Sequence, residues 1–200
     1  ILSKKNIKIS IFKENKPKNK FNTRTIGITK ENIEFLTKEK FFVEKTAWSV
    51  KNIKIFNDFK NSEEILNFGP VNDKFFSIIK NFQFINLLKK NIKNNKLIKV
   101  IKKNNLAPYD SIINNKNQFD LIINFNENNK ISKKIFFKRQ YKDYDSLAYT
   151  ILIKHQKCYN RMAYQVFTKF GPIAFLPCSN KETSVVFSIY KKFKNLSEIE

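Results

Sequence analysis

The sequence predicts a mixed α/β fold in which pieces of a parallel sheet interleave with a more antiparallel sheet. Three observations carry this. Short apolar–polar alternations recur along the 200 residues. Segments with helical spacing separate them. One continuous apolar run, 119–125 (FDLIINF), has the length and character of a strand buried on both faces. Such interleaving differs from a block of strands followed by a block of helices, and it fits two units built from discontinuous segments.

The elements follow in order. Residues 6–12 (NIKISIF) alternate, placing Ile7, Ile9 and Ile11 on one face of a strand. Glu14 ends it, and a Lys/Asn loop with Pro17 follows. Residues 25–28 form a short extended piece. Thr29 caps a helix running to about Lys38, with Glu31 in the first turn where the helix dipole favours a carboxylate. Residues 41–50 and 51–59 read as extended. Residues 65–68 and 74–79 flank Gly69-Pro70, a turn signal. Asn81 caps a helix over 82–92, with Ile85, Leu88 and Ile92 at helical spacing. A short strand at 97–101 and a polar loop at 102–118 lead to the apolar run. After a short helix at 131–137, strands are expected at 146–155, at 162–169 with an extension at 173–176, and at 183–190. Asn180-Lys181 is the hairpin turn.

Composition sets bounds. Hydrophobic content is 42%, with 21 Phe, which is enough apolar area for a core. No apolar run reaches the roughly 18 residues of a membrane-spanning helix. The first residues lack the apolar stretch of a signal peptide. Cys158 and Cys178 fit a reduced cytoplasmic protein better than a disulfide scaffold. With His155 as the single histidine, no zinc ligand set is present. The formal net charge is +22, which invites a nucleic-acid reading. Yet the basic residues are nearly all Lys; the arginines are Arg24, Arg139 and Arg161. Asn, Ile and Phe are inflated alongside Lys, as AT-rich codons dictate, whereas phosphate recognition favours the arginine fork. Nucleic acid is therefore not an expected partner.

Residues 165–177 (QVFTKFGPIAFLP), followed by Thr183-Ser184-Val185-Val186, break the monotony. They resemble the ubiquinone-biosynthesis hydroxylases, FAD-dependent monooxygenases of the para-hydroxybenzoate hydroxylase-like class, which show a GP-(I/L)-A-(F/L)-LP run and then (T/S)-S-(I/V)-V. The resemblance implies a partial Rossmann-like FAD-binding domain at 1–40 and 80–140. It implies a mostly antiparallel substrate-binding sheet at 41–79 and 141–200. It also implies hydroxylation of a polyprenylated phenol by molecular oxygen, with FAD as cofactor and NAD(P)H as co-substrate. The setting would be cytoplasmic, with peripheral association at the inner membrane and a pathway complex.

By the same resemblance, Glu14 takes the acidic position that binds the adenosine ribose. Arg24 takes the position of an arginine approaching the flavin. Asn126 falls in the second cofactor motif, G-A-D-G-x-x-S-x-x-R, where this chain has neither glycine. Pro172, Phe175 and Leu176 would meet the substrate. No catalytic side chain is implied, because the flavin carries the chemistry. A GxGxxG loop is expected before Ile1 and a G-D-A-A-H motif beyond Glu200, so the resemblance makes the chain a middle portion. From the residues alone, Glu14 reads as a solvated surface charge, Phe175 and Leu176 read as sheet core, and Arg24 reads equally as a loop-end arginine. Two alternatives stand beside the enzyme: a non-catalytic homologue that binds a prenyl lipid or assembles a complex, and a basic single-strand binder with stacking aromatics.

Overall fold

A computed structural model of the chain describes residues 2–13, 23–41, 46–58, 63–69, 76–102, 119–125, 129–135, 138 and 140–193. Eleven strands and three α-helices are described: β1 (Ile9–Lys13), β2 (Thr25–Thr29), α1 (Lys30–Lys38), β3 (Trp48–Val50), β4 (Asn52–Asn57), β5 (Glu63–Phe68), β6 (Phe76–Lys80), α2 (Asn81–Lys93), β7 (Ile98–Lys102), α3 (Lys130–Ile135), β8 (Ser146–Lys154), β9 (Met162–Thr168), β10 (Gly171–Ser179) and β11 (Glu182–Tyr190).

The strands form three sheets. Six make the order β5-β4-β9-β10-β11-β8, antiparallel except where β4 runs parallel to β9. Three make the order β2-β6-β3, all antiparallel. β1 and β7 form a parallel pair. The mixed α/β class expected from the sequence is observed. Among the described residues the only parallel pairing outside the six-stranded sheet is β1 with β7, which does not establish the expected Rossmann-like domain. The three-stranded sheet draws β2 from the span 1–40 and β3 and β6 from the span 41–80.

β6 explains the layering. Its side chains alternate, and both faces are buried: Ser77 is 2% exposed, Ile78 2% and Ile79 1%. Ile79 packs with Ile28 and Ile33, against Leu36 of α1 and Phe84 and Leu87 of α2. Ile78 packs with Val50 and Ala163, against Leu176 and Cys178 of β10. The three-stranded sheet is thus sandwiched between two helices and the six-stranded sheet. Thr29 caps α1 as predicted, its hydroxyl accepting from Asn32 N at 3.4 Å. α2 starts one residue early, and Lys80, not Asn81, occupies the cap position without a side-chain hydrogen bond.

Two expectations fail. Residues 119–125 form no strand. Leu121 is 73% exposed and Phe125 92%, and no neighbouring strand among the described residues gives this run a ladder. Periodicity identifies an apolar run but not the partner that would bury it. Second, residues 173–176 do not extend β9. The chain reverses at Lys169-Phe170, and β10 returns antiparallel to β9.

Gly171 makes that reversal compatible with β11. Its φ is +132°, and a Cβ there would lie 1.9 Å from the Ser188 carbonyl oxygen. Gly27, in β2, has ordinary contacts, the nearest being a Phe76 ring atom at 3.4 Å. Gly171→Ala is expected to destabilise by at least about 3 kcal/mol. Gly27→Ala should change stability by less than about 1 kcal/mol. Urea unfolding of the two variants measures the contrast.

Candidate functional site

The six-stranded sheet presents two faces of different character, and strand alternation assigns them. Ile53, Ala163 and Leu176 belong to the core shared with the three-stranded sheet. Ser184, in register with Leu176, joins them there; Thr25 Oγ1 donates to its hydroxyl at 3.1 Å. The opposite face then carries Phe56, Tyr164, Ile173, Phe175, Val185, Phe187, Tyr149 and Ile151, linked across strands by register. It is largely aromatic and aliphatic, but Lys54, in register with Tyr164, lies on it and pairs with Glu64 at 2.7 Å, and Val185 is buried at its middle. Phe56 and Tyr164 stack at 6.3 Å between centroids, and Tyr164 pairs with Phe175.

The three expected substrate residues therefore do not share a face. Phe175 lies on the open face. Leu176 points into the core and contributes stability. Pro172 lies on the same side as Leu176, in register with Phe167. The ladder to β11 begins at Ile173, so the missing proline N–H falls outside it.

Of the expected cofactor residues, Glu14 and Asn126 lie outside the described residues. Arg24 is exposed just before β2, and its carbonyl accepts from Asn81 N at 2.9 Å, tying β2 to the start of α2. The turn before α3 can be tested against a pyrophosphate. Asn124 and Asn129 bond each other through their side-chain amides, with Asn129 Nδ2 donating to Asn124 Oδ1 at 2.8 Å. Asn124 Nδ2 also donates to Ser132 Oγ at 2.7 Å. Ser132 N donates to Asn129 Oδ1 at 2.9 Å, so the first turn of α3 is already capped. Asn129 and Ser132 are buried. The chain's glycines, Gly27, Gly69 and Gly171, all lie elsewhere. This described part of the turn does not fit a dinucleotide pyrophosphate, which needs free amides and close backbone approach.

A polar corner that sequence patterns missed joins the two large sheets. Trp48 Nε1 donates to Asn160 O at 2.6 Å. The Arg161 guanidinium sits 3.6 Å from the Trp48 ring centroid and donates to Ser49 O and Oγ. Asn160 Nδ2 donates to Ser179 O, Glu182 O and Thr183 Oγ1 at 2.8, 3.1 and 3.0 Å. His155 Nδ1 donates to Gln156 O at 2.8 Å, which leaves Nε2 to accept from Thr183 Oγ1 at 3.1 Å. Lys80 and Glu182 pair at 2.6 Å, each about one-fifth exposed. With their groups paired among themselves, these residues clamp β3, β6 and the β10–β11 turn together. The signal in the sequence was faint: Trp48 and Arg161 belong to residue types the chain otherwise scarcely uses.

No protein-family model matches the chain, and no curated protein matches it. Among solved structures, a variant of PqsL from P. aeruginosa matches with a TM-score of 0.61 at 10% identity, over 96% of this chain and 57% of that one. A tetracycline destructase matches with a TM-score of 0.40 at 8% identity, over 84% of this chain and 46% of that one. The likeness to PqsL is one of fold, and the chain spans little more than half of PqsL's length. The ubiquinone-hydroxylase family expected from residues 165–186 is overturned, since nothing matching the chain is specific to it. The structure gives the physical reason. Gly171 is required by the close approach of Ser188, and Pro177 is fully buried beside the register shift between Pro177 and Ser179. That motif secures a hairpin and carries no mark of a particular substrate.

The two thiols differ in setting. Cys158 is exposed. Burial pushes the Cys178 thiol above the ordinary range, and Cys178 Sγ donates to Leu176 O at 3.5 Å. Because the folded state raises this pKa, its stabilising contribution is complete below the ordinary thiol pKa. It is lost as pH rises through the folded value. At about pH 8 an aromatic disulfide reagent should label one thiol rapidly in the native protein, and Cys158→Ser should abolish that phase. The second thiol should react only on unfolding or at markedly higher pH.

Proposed function

We propose that this chain is the sheet-bearing part of a flavin-dependent aromatic monooxygenase. The observation that carries the reading is the fold. The helix–sheet–sheet layering matches PqsL over 96% of the chain. The open face of the six-stranded sheet is the surface suited to an aromatic ring. Phe175, Tyr164 and Ile173 would supply apolar and stacking contacts to a bound ring, with the Lys54–Glu64 pair bordering Tyr164. A phenol with an apolar substituent is the substrate class that such a face favours. FAD would supply oxygen activation, NAD(P)H would supply the electrons, and both come with the class. The described residues would contribute ring orientation, and the side chains of Asn124, Asn129 and Ser132 are bonded to one another.

The mutual bonding of Asn124, Asn129 and Ser132 favours a second reading, a non-catalytic relative that keeps the apolar face for ligand binding. FAD titration followed by fluorescence, with NAD(P)H oxidation measured with and without an alkylphenol, separates the two. The enzyme reading expects saturable flavin binding and phenol-stimulated oxidation. It also expects Phe175→Asp to raise the KM for the phenol at least about tenfold, through loss of apolar contact and ring packing. Phenol binding with no flavin binding establishes the second reading. Absence of both overturns the two together.

A further inference from the structure

The six-stranded sheet has two edges, and they are protected unequally. β5 carries Glu63 and Glu64 at its start, with Glu64 paired to Lys54 at 2.7 Å, and its pairing with β4 is interrupted by an irregularity between Ile55 and Phe56. Adjacent charges and a bulge are the usual defences of an edge strand. β8 has neither. Its central residues, Leu147 to Ile153, read LAYTILI, with no charge, no proline and no register shift along the pairing with β11. Among the described residues no strand pairs with its outer side.

Two hydrogen bonds just outside the strand fix which backbone groups are free. Lys191 N donates to Asp145 O, and His155 N donates to Lys181 O. Both pairs continue the β8–β11 register, so the odd-numbered residues of β8 exchange their bonds with β11. The N–H and C=O groups of Ser146, Ala148, Thr150, Leu152 and Lys154 therefore point outward, along one full edge. Beside them Tyr149, Ile151 and Ile153 stand 49%, 53% and 42% exposed.

The geometry points to a second copy of this chain as the occupant, its β8 paired antiparallel about a two-fold axis at Thr150. This register joins two features. It brings the outward groups of Thr150 opposite their own symmetry mates, and those of Ala148 and Ser146 opposite Leu152 and Lys154 of the other copy. It sets Tyr149 beside Ile151 and Leu147 beside Ile153 across the seam, as close pairs on the open face. The charge of +22 opposes association, but at physiological ionic strength the Debye length of about 8 Å screens the distant lysines, and the seam from Leu147 to Ile153 itself carries no charge. The interface is isologous and closes at two copies, giving one sheet continuous across the dimer. It is independent of the flavin reading.

Sedimentation velocity of the full chain over a micromolar concentration series tests this. The wild type is expected to shift from monomer to dimer. Thr150→Pro removes an outward N–H and no bond to β11, so it should abolish the dimer while leaving the circular dichroism spectrum unchanged. Ile151→Lys, which puts a charge on the exposed seam, should do the same, and it decides the matter if the proline variant fails to fold. A wild type that stays monomeric throughout overturns the proposal. So does a folded Ile151→Lys that dimerises as the wild type does.

Discussion

The fold depends on one strand being buried on both sides. β6 is five residues long, yet consecutive side chains at Ile78 and Ile79 enter two different apolar clusters. One holds α1 and α2 against the three-stranded sheet; the other holds that sheet against β9 and β10. Burying an isoleucine is worth roughly 1.5–3 kcal/mol, so two adjacent ones facing opposite ways weld three layers through a single element. Everything said about the open face of the large sheet presupposes this, because the core occupies its other face.

The polar corner completes what apolar burial begins. Hydrophobic contact is non-directional and leaves sheets free to slide. Asn160, Trp48 and Arg161 remove that freedom with bonds of fixed direction to backbone carbonyls. The Lys80–Glu182 pair does the same at a site about four-fifths buried. A largely buried pair of this kind contributes more to register than to stability, since desolvation offsets much of the attraction. The consequence is a large sheet held against the three-stranded one by directional bonds as well as by apolar burial.

Alternation and capping were legible in the sequence. Thr29 before a helix, Ile53 and Ile55 about Lys54, and the β10–β11 turn at Asn180-Lys181 are local features with local causes. What was not legible is what depends on partners distant in sequence. The 119–125 run looked buried because its side chains are apolar, but burial is set by a neighbour that periodicity does not name. Phe175 and Leu176 looked like one substrate-facing unit because they are adjacent; on a strand, adjacency means opposite sides. The Gly-Pro and Leu-Pro run looked like a family signature because its residues are restricted, and the restriction proves to be backbone geometry at Gly171 and Pro177.

The bonds that join the layers also constrain the order in which this chain can fold. Thr25 meets Ser184 across 159 positions, and Trp48 meets Asn160 across 112. β4 finds its parallel partner β9 more than a hundred residues later. Loop closure over such spans must come before the contacts that reward it, and chains of this kind fold slowly. During synthesis, β2, β3 and β6 leave the ribosome long before β9 to β11, with Val50 and Ile78 still uncovered. A nascent chain in that state displays an apolar sheet face with nothing to cover it, which makes it a natural client for chaperones.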